Sequence, residues 1–186
     1  MHNLLFILLI SSSLQGCFPV IAAGAGAGAL MAQDRRTSGA YIEDEAIEGK
    51  AANRITTQYK NTVHVNVTSY NRNVLLSGEV PDETVRIQIE RIVANIQNVG
   101  KIYNELTIGI SSSLASRSND SLVTSNVKMR FLNDKRFSAT NVKVITENGV
   151  VYLMGIVNHK EAEAASEVAS GSKGVTRVIQ LFEYVE

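Results

Sequence analysis

A single cysteine in 186 residues leaves no partner for an internal disulfide and excludes a zinc site built on several thiolates. There is no tryptophan, and there are only two prolines. The three histidines, His2, His64 and His159, leave little material for a histidine-based active site. The chain carries no surplus of one charge: 18 basic residues stand against 18 acidic ones. A general nucleic-acid binder normally shows a strong basic excess, so that class is excluded. A hydrophobic fraction of 45% excludes wholesale disorder. Also missing are a Gly-x-Ser-x-Gly elbow, a His-Glu-x-x-His pair and a phosphate-binding Gly-Lys-Ser/Thr loop. The paired acids Asp82-Glu83 open a predicted helix, where they complement its dipole. Glu161 and Glu163 stand two apart and do not share a helix face. His64 alternates with Asn66 on a predicted strand and reads as solvent-facing; His159 opens a helix and reads as solvated or capping. These features point away from an enzyme, and no cofactor, metal or small-molecule substrate is expected.

What is present begins with a leader. Residues 4–10 form an apolar run, followed by three serines and then Leu14-Gln15-Gly16-Cys17, the pattern of a secretory signal ending in small residues. Residues 4–32 carry no charge, so a membrane span is the competing reading. The serines, Gln15, Pro19 and the weakly hydrophobic Ala-Gly repeat argue against it. The stretch before Cys17 resembles the lipobox of bacterial lipoproteins, which implies cleavage after residue 16 and acylation of Cys17. Phe18 stands where lipoproteins retained in the inner membrane usually carry Asp. By that rule the chain goes to the outer membrane and faces the periplasm. Several acyl chains anchor far more firmly than one. Residues 17–42, with their Ala-Gly repeat, read as a flexible tether, and the stretch between Phe18 and Glu43 reaches up to about 85 Å.

The remainder is a tandem repeat over 43–110 and 120–186, separated by a serine-rich linker at 111–119. Each repeat opens with an apolar stripe at four-residue spacing, Ile47, Ala51, Ile55 and then Val123, Val127, Phe131, which predicts a helix. A strand follows, then a turn (Tyr70 to Asn73, and Glu147-Asn148-Gly149), a second strand, a second helix and a closing strand. Gly78 and Gly155 occupy the same place. The predicted order is αββαβ, twice. The fold class is α+β, each repeat a small mixed sheet with two helices packed on one face.

A helix, a Val-rich hairpin with Val-x-Leu-x-Gly-x-Val, a helix and a Gly-Val-x-x-Val strand resemble the BON domain. The stretch Asn141-Val142-Lys143-Val144 through Val151-Tyr152-Leu153-Met154-Gly155 carries the resemblance best. Two such domains behind a lipobox resemble the dual-BON outer-membrane lipoproteins of Gram-negative bacteria. That resemblance implies a non-enzymatic protein that binds phospholipid and supports outer-membrane integrity.

Charge distribution separates the two repeats. From Arg117 to Lys143 there are six basic and two acidic residues, so the remainder of the chain is acidic by the same margin. On a helical wheel with Val123 at zero, Val127 and Phe131 fall at about 40° and 80°. Leu122, Met129 and Leu132 fall at about 260°, 240° and 180°, on the side a globular helix should leave polar. The matching first-repeat residues, Ala46, Asn53 and Thr56, are small or polar. An apolar ridge flanked by Lys128, Lys135 and Arg136 suits anionic phospholipid. It also suits packing against the first repeat, or another protein. The acidic cluster Glu43, Asp44, Glu45 and Glu48 makes the first repeat a poor lipid binder. The expected function is lipid docking by the second repeat in support of the envelope; the alternative is a periplasmic adaptor whose repeats bind an envelope protein, with lipid only as the anchor.

Overall fold

The computed structural model describes residues 34–186, so Cys17 and the leader lie outside the described residues. Helix α1 (Ser38–Tyr59) buries Ile47, Ala51 and Ile55, the stripe its spacing predicts. It packs on an antiparallel hairpin of β1 (His64–Tyr70) and β2 (Asn73–Val80), registered His64 to Glu79 and Tyr70 to Asn73. Helix α2 (Glu83–Ala94) is capped by Asp82, whose side chain accepts from the Val85 amide, and buries Ile89 and Val93. The chain then returns beside β2 in two short parallel pieces, β3 (Ile102–Asn104) and β4 (Thr107–Ile108). A single closing strand was expected here. The Asn104 side chain accepts from the Leu106 amide two residues on, a local bond that competes with the ladder.

The second repeat runs through α3 (Leu114–Asn133), a short 3-10 turn at Ala139–Asn141, β5 (Val142–Glu147), β6 (Val150–Val157), α4 (His159–Ser170) and β7 (Arg177–Tyr184). Here the closing strand is continuous, pairing in parallel with all of β6. Each repeat therefore has a mixed sheet with its hairpin and closing strand, and two helices on one face.

The first helix of each repeat starts a few residues ahead of the repeat's bounds in sequence. α1 begins at Ser38, inside the stretch expected to be tether, because Thr37 caps it by accepting from the Ala40 amide. α3 begins at Leu114, inside the expected linker, because Ser113 caps it in the same way. Serine and threonine disfavour a helix interior but are favoured at its start. Arg35 also binds Glu161, and Arg36 lies over the Tyr70 ring, so the described chain is already tied down there.

The helix-free faces of the two sheets pack together. On β2, Val74, Leu76 and Val80 point into the helix-covered core, while Leu75 joins Tyr70, Tyr152, Met154 and Leu181 in a separate cluster. β6 divides likewise, with Val151, Leu153 and Val157 on the helix side. Both faces of each central strand are thus buried, which explains the unbroken apolar run Val74-Leu75-Leu76. Polar bonds frame this seam. Lys143 donates to Glu48 at 2.8 Å and to the Ser69 carbonyl at 3.1 Å, and Asn73 donates to Glu183 at 2.8 Å.

Candidate functional site

Helix α3 carries the candidate ridge. Its inner stripe of Val123, Val127 and Phe131 fills the second core, and that registration forces the residues between them outward. Leu122 is 70% exposed, Met129 61% and Leu132 70%. The repeats meet through their sheets instead, so the ridge is not the surface between them. Three large apolar side chains on one helix, left in water, sacrifice about 1.5–3 kcal/mol each relative to burial.

The basic residues divide. Lys128 and Lys135 are exposed and form no ion pair among the described residues. Arg136 is committed: its guanidinium binds Asp134 at 2.8 Å and Glu167 of α4 at 2.7 Å. The hydrogen bonds from Arg136 hold the Asp134 carboxyl below its usual range. Arg136 therefore adds little net positive charge to the patch. Lys143, also within the basic stretch, is turned into the seam against Glu48.

Beside the ridge, Lys128 and Leu132 border a cleft of about 440 Å³ that reaches across to Tyr41 and Glu45 of α1, with Phe131 and Tyr70 in its wall. Burial pushes the Tyr70 phenol up to about 12. Arg36 stacks on Tyr70 at 4.1 Å and binds Asp34 and Asp44. Burial disfavours its charge, but these carboxylates outweigh that and hold it above its ordinary value.

The acids of the first repeat are not the open cluster they resemble in sequence. Asp44 is buried and receives the Asn71 and Arg72 amides at 2.8 and 2.7 Å, and the Ser69 hydroxyl at 2.6 Å. Glu48 receives the Ser69 amide at 2.7 Å. Both stabilise a hairpin turn in which Asn71 and Arg72 adopt positive φ. Little negative charge from these two residues reaches the surface.

A second polar constellation was not expected. His64 is not solvent-facing: its side chain is 13% exposed, and Nε2 lies 3.4 Å from Oε1 of Glu147 in the other repeat. Glu79, paired with His64 across the hairpin, joins them, with ligand atoms of all three within 4.8 Å. Three residues from separate strands share no spacing motif. The alternation of β1 showed which face His64 occupies but not that a second sheet covers it. His159 is exposed as expected, stacked on Tyr184 with ring centroids 4.3 Å apart; Asn158 caps α4 in its place.

No described helix is long and apolar enough to cross a membrane. Residues 43–110 and 119–186 each match the BON domain. The outer membrane lipoprotein DolP of Haemophilus influenzae is 41% identical over 175 residues, covering 93% of this chain and 91% of its own. A 21 kDa hemolysin of Actinobacillus pleuropneumoniae is 36% identical, covering 82% and 80%. The osmotically-inducible protein Y of Escherichia coli K12 is 25% identical, covering 75% and 72%. The destination expected from Phe18, the outer membrane, is that of the DolP relative. With both repeats matched and this identity extending over nearly the whole chain, the protein belongs to the BON-domain family, in its two-domain, DolP-like form.

Proposed function

We propose that this BON-domain protein is anchored through acylated Cys17, docks helix α3 onto anionic phospholipid, and thereby supports the integrity of the outer membrane without catalysing a reaction. The observation that carries this reading is the exposed ridge Leu122, Met129 and Leu132 beside Lys128 and Lys135, which form no ion pair among the described residues. Partial insertion of three such side chains supplies several kcal/mol at about 1.5–3 each. Lys128 and Lys135 add about 1 kcal/mol each at an anionic surface. An acyl anchor makes the encounter intramolecular and raises the effective concentration of the surface.

The competing adaptor reading has its own surface. Ile110 and Leu114, at the junction of the repeats, are 96% and 80% exposed and suit an apolar protein contact. The two readings separate by sedimentation with phosphatidylglycerol vesicles, using the fragment from Gln33 onward. Docking through α3 predicts binding that weakens with salt and is lost in the folded double variant Leu122→Glu, Met129→Glu. Retained binding in that variant, or none in the wild type, removes the lipid role from α3 and favours the adaptor.

A further inference from the structure

We propose that His64, Glu79 and Glu147 bind one divalent cation of the zinc class, and that this ion staples the two repeats together. The site is independent of the lipid reading and uses none of the ridge residues. His64 opens β1 and Glu79 stands opposite it on β2, while Glu147 ends β5 of the second repeat. A cation held by all three therefore has ligands in both repeats.

Charge is the first argument. Glu79 and Glu147 are 5% and 6% exposed, and neither has a lysine or arginine within ion-pair distance among the described residues. Two carboxylates taken out of water without a cation are costly. Two carboxylates match one divalent ion in charge, and His64 supplies a nitrogen ligand beside them.

Geometry is the second. Ligands at about 2.1 Å from a tetrahedral ion stand about 3.4 Å apart. His64 Nε2 and Glu147 Oε1 are separated by 3.4 Å, long for a direct hydrogen bond. Oε1 has no other polar partner among the described residues, whereas Oε2 receives Asn66 at 2.8 Å and Ser77 at 3.4 Å. Those donors orient the carboxylate and leave one oxygen for the metal. Glu79 is held differently: Asn148 donates to Oε1 and the Ser112 amide to Oε2 at 3.0 Å, so the ion takes a second lone pair of an oxygen that already accepts one hydrogen bond. Such outer partners fix ligands in metal sites generally.

Access and selectivity complete the case. His64 and Glu147 line an open polar cleft of about 660 Å³, which supplies an entry path and room for a water as fourth ligand. Imidazole with carboxylates suits zinc-class ions, whereas magnesium and calcium prefer oxygen-only sets.

The test is calorimetric titration of the metal-stripped full chain, in detergent, with zinc sulfate. One ion per chain is expected, together with an unfolding temperature that rises with zinc and not with magnesium. His64→Ala and Glu147→Gln each weaken binding about tenfold or more, and His159→Ala leaves it unchanged. Circular dichroism checks that the variants fold. If His64→Ala does not fold, the His64 ring protons of the wild type decide: zinc shifts them and leaves those of His159 in place. Wild-type affinity in a folded His64→Ala variant overturns the proposal. So does an absence of binding up to about 1 mM zinc, which leaves a proton-mediated His64–Glu147 contact only.

Discussion

Asp44 and Asp120 occupy the same position in the two repeats, each reaching from the first helix to brace the hairpin turn below it. Asp44 accepts the Asn71 and Arg72 amides, and Asp120 accepts the Asn148 and Gly149 amides, both at 2.9 Å. Both turns place their central residues at positive φ, a conformation L side chains rarely adopt. The carboxylates offset that cost by satisfying amides that point inward.

Replacing Asp120 with Ala leaves these amides without their partner, so the second repeat should lose about 1–3 kcal/mol. Urea unfolding of the fragment from Gln33 onward measures the loss. Asp44→Ala should do the same, with a further contribution because Arg36 loses a partner.

Gly155 is required by its neighbour across the hairpin. A Cβ at this position would stand 2.3 Å from the Asn141 carbonyl oxygen, against backbone that cannot step aside. Gly155→Ala should destabilise by about 2 kcal/mol or more. Gly78→Ala meets the His64 carbonyl at 2.1 Å and adds an unfavourable φ of +117°, so it should cost more. Comparing the two midpoints in urea tests the ordering.

Much of this architecture is legible in sequence because it is local. The stripes at four-residue spacing, the turn at Asn148-Gly149 and the matched glycines follow from backbone periods and steric need. The ridge is legible too, since a wheel anchored on Val123 shows Leu122, Met129 and Leu132 off the core stripe. What covers each surface is not local. Asp44 reads as one acid among four, yet is a turn brace; Arg136 reads as a free cation, yet Glu167 lies more than 30 residues away and pairs with it. His64 shows the same limit, because the strand period does not identify the sheet that packs over it. In the first repeat the αL position equivalent to Gly174 is filled by Asn98, a substitution that no glycine pattern reveals.

The seam between the repeats should be sensitive to alkali. Burial pushes the phenols of Tyr70 and Tyr152 up to about 12, from an ordinary value of 10.0. The folded state thus favours their neutral forms. Their contribution is complete below pH 10 and is lost as pH rises from there through 12. Unfolding midpoints should fall as pH rises from 10 to 11.5, and Tyr152→Phe should reduce the slope. An unchanged slope would assign the alkaline sensitivity to other groups.

The central claim, that α3 meets lipid through its ridge, is tested most directly by an environment-sensitive fluorophore. The probe is placed at residue 129 in one sample and at the equivalent residue 53 of the first repeat in another, on the fragment from Gln33 onward. Adding phosphatidylglycerol vesicles should shift emission to the blue at 129 and leave 53 unchanged, and the shift should diminish with salt. Equal shifts at both positions, or none at 129, would contradict docking through this helix.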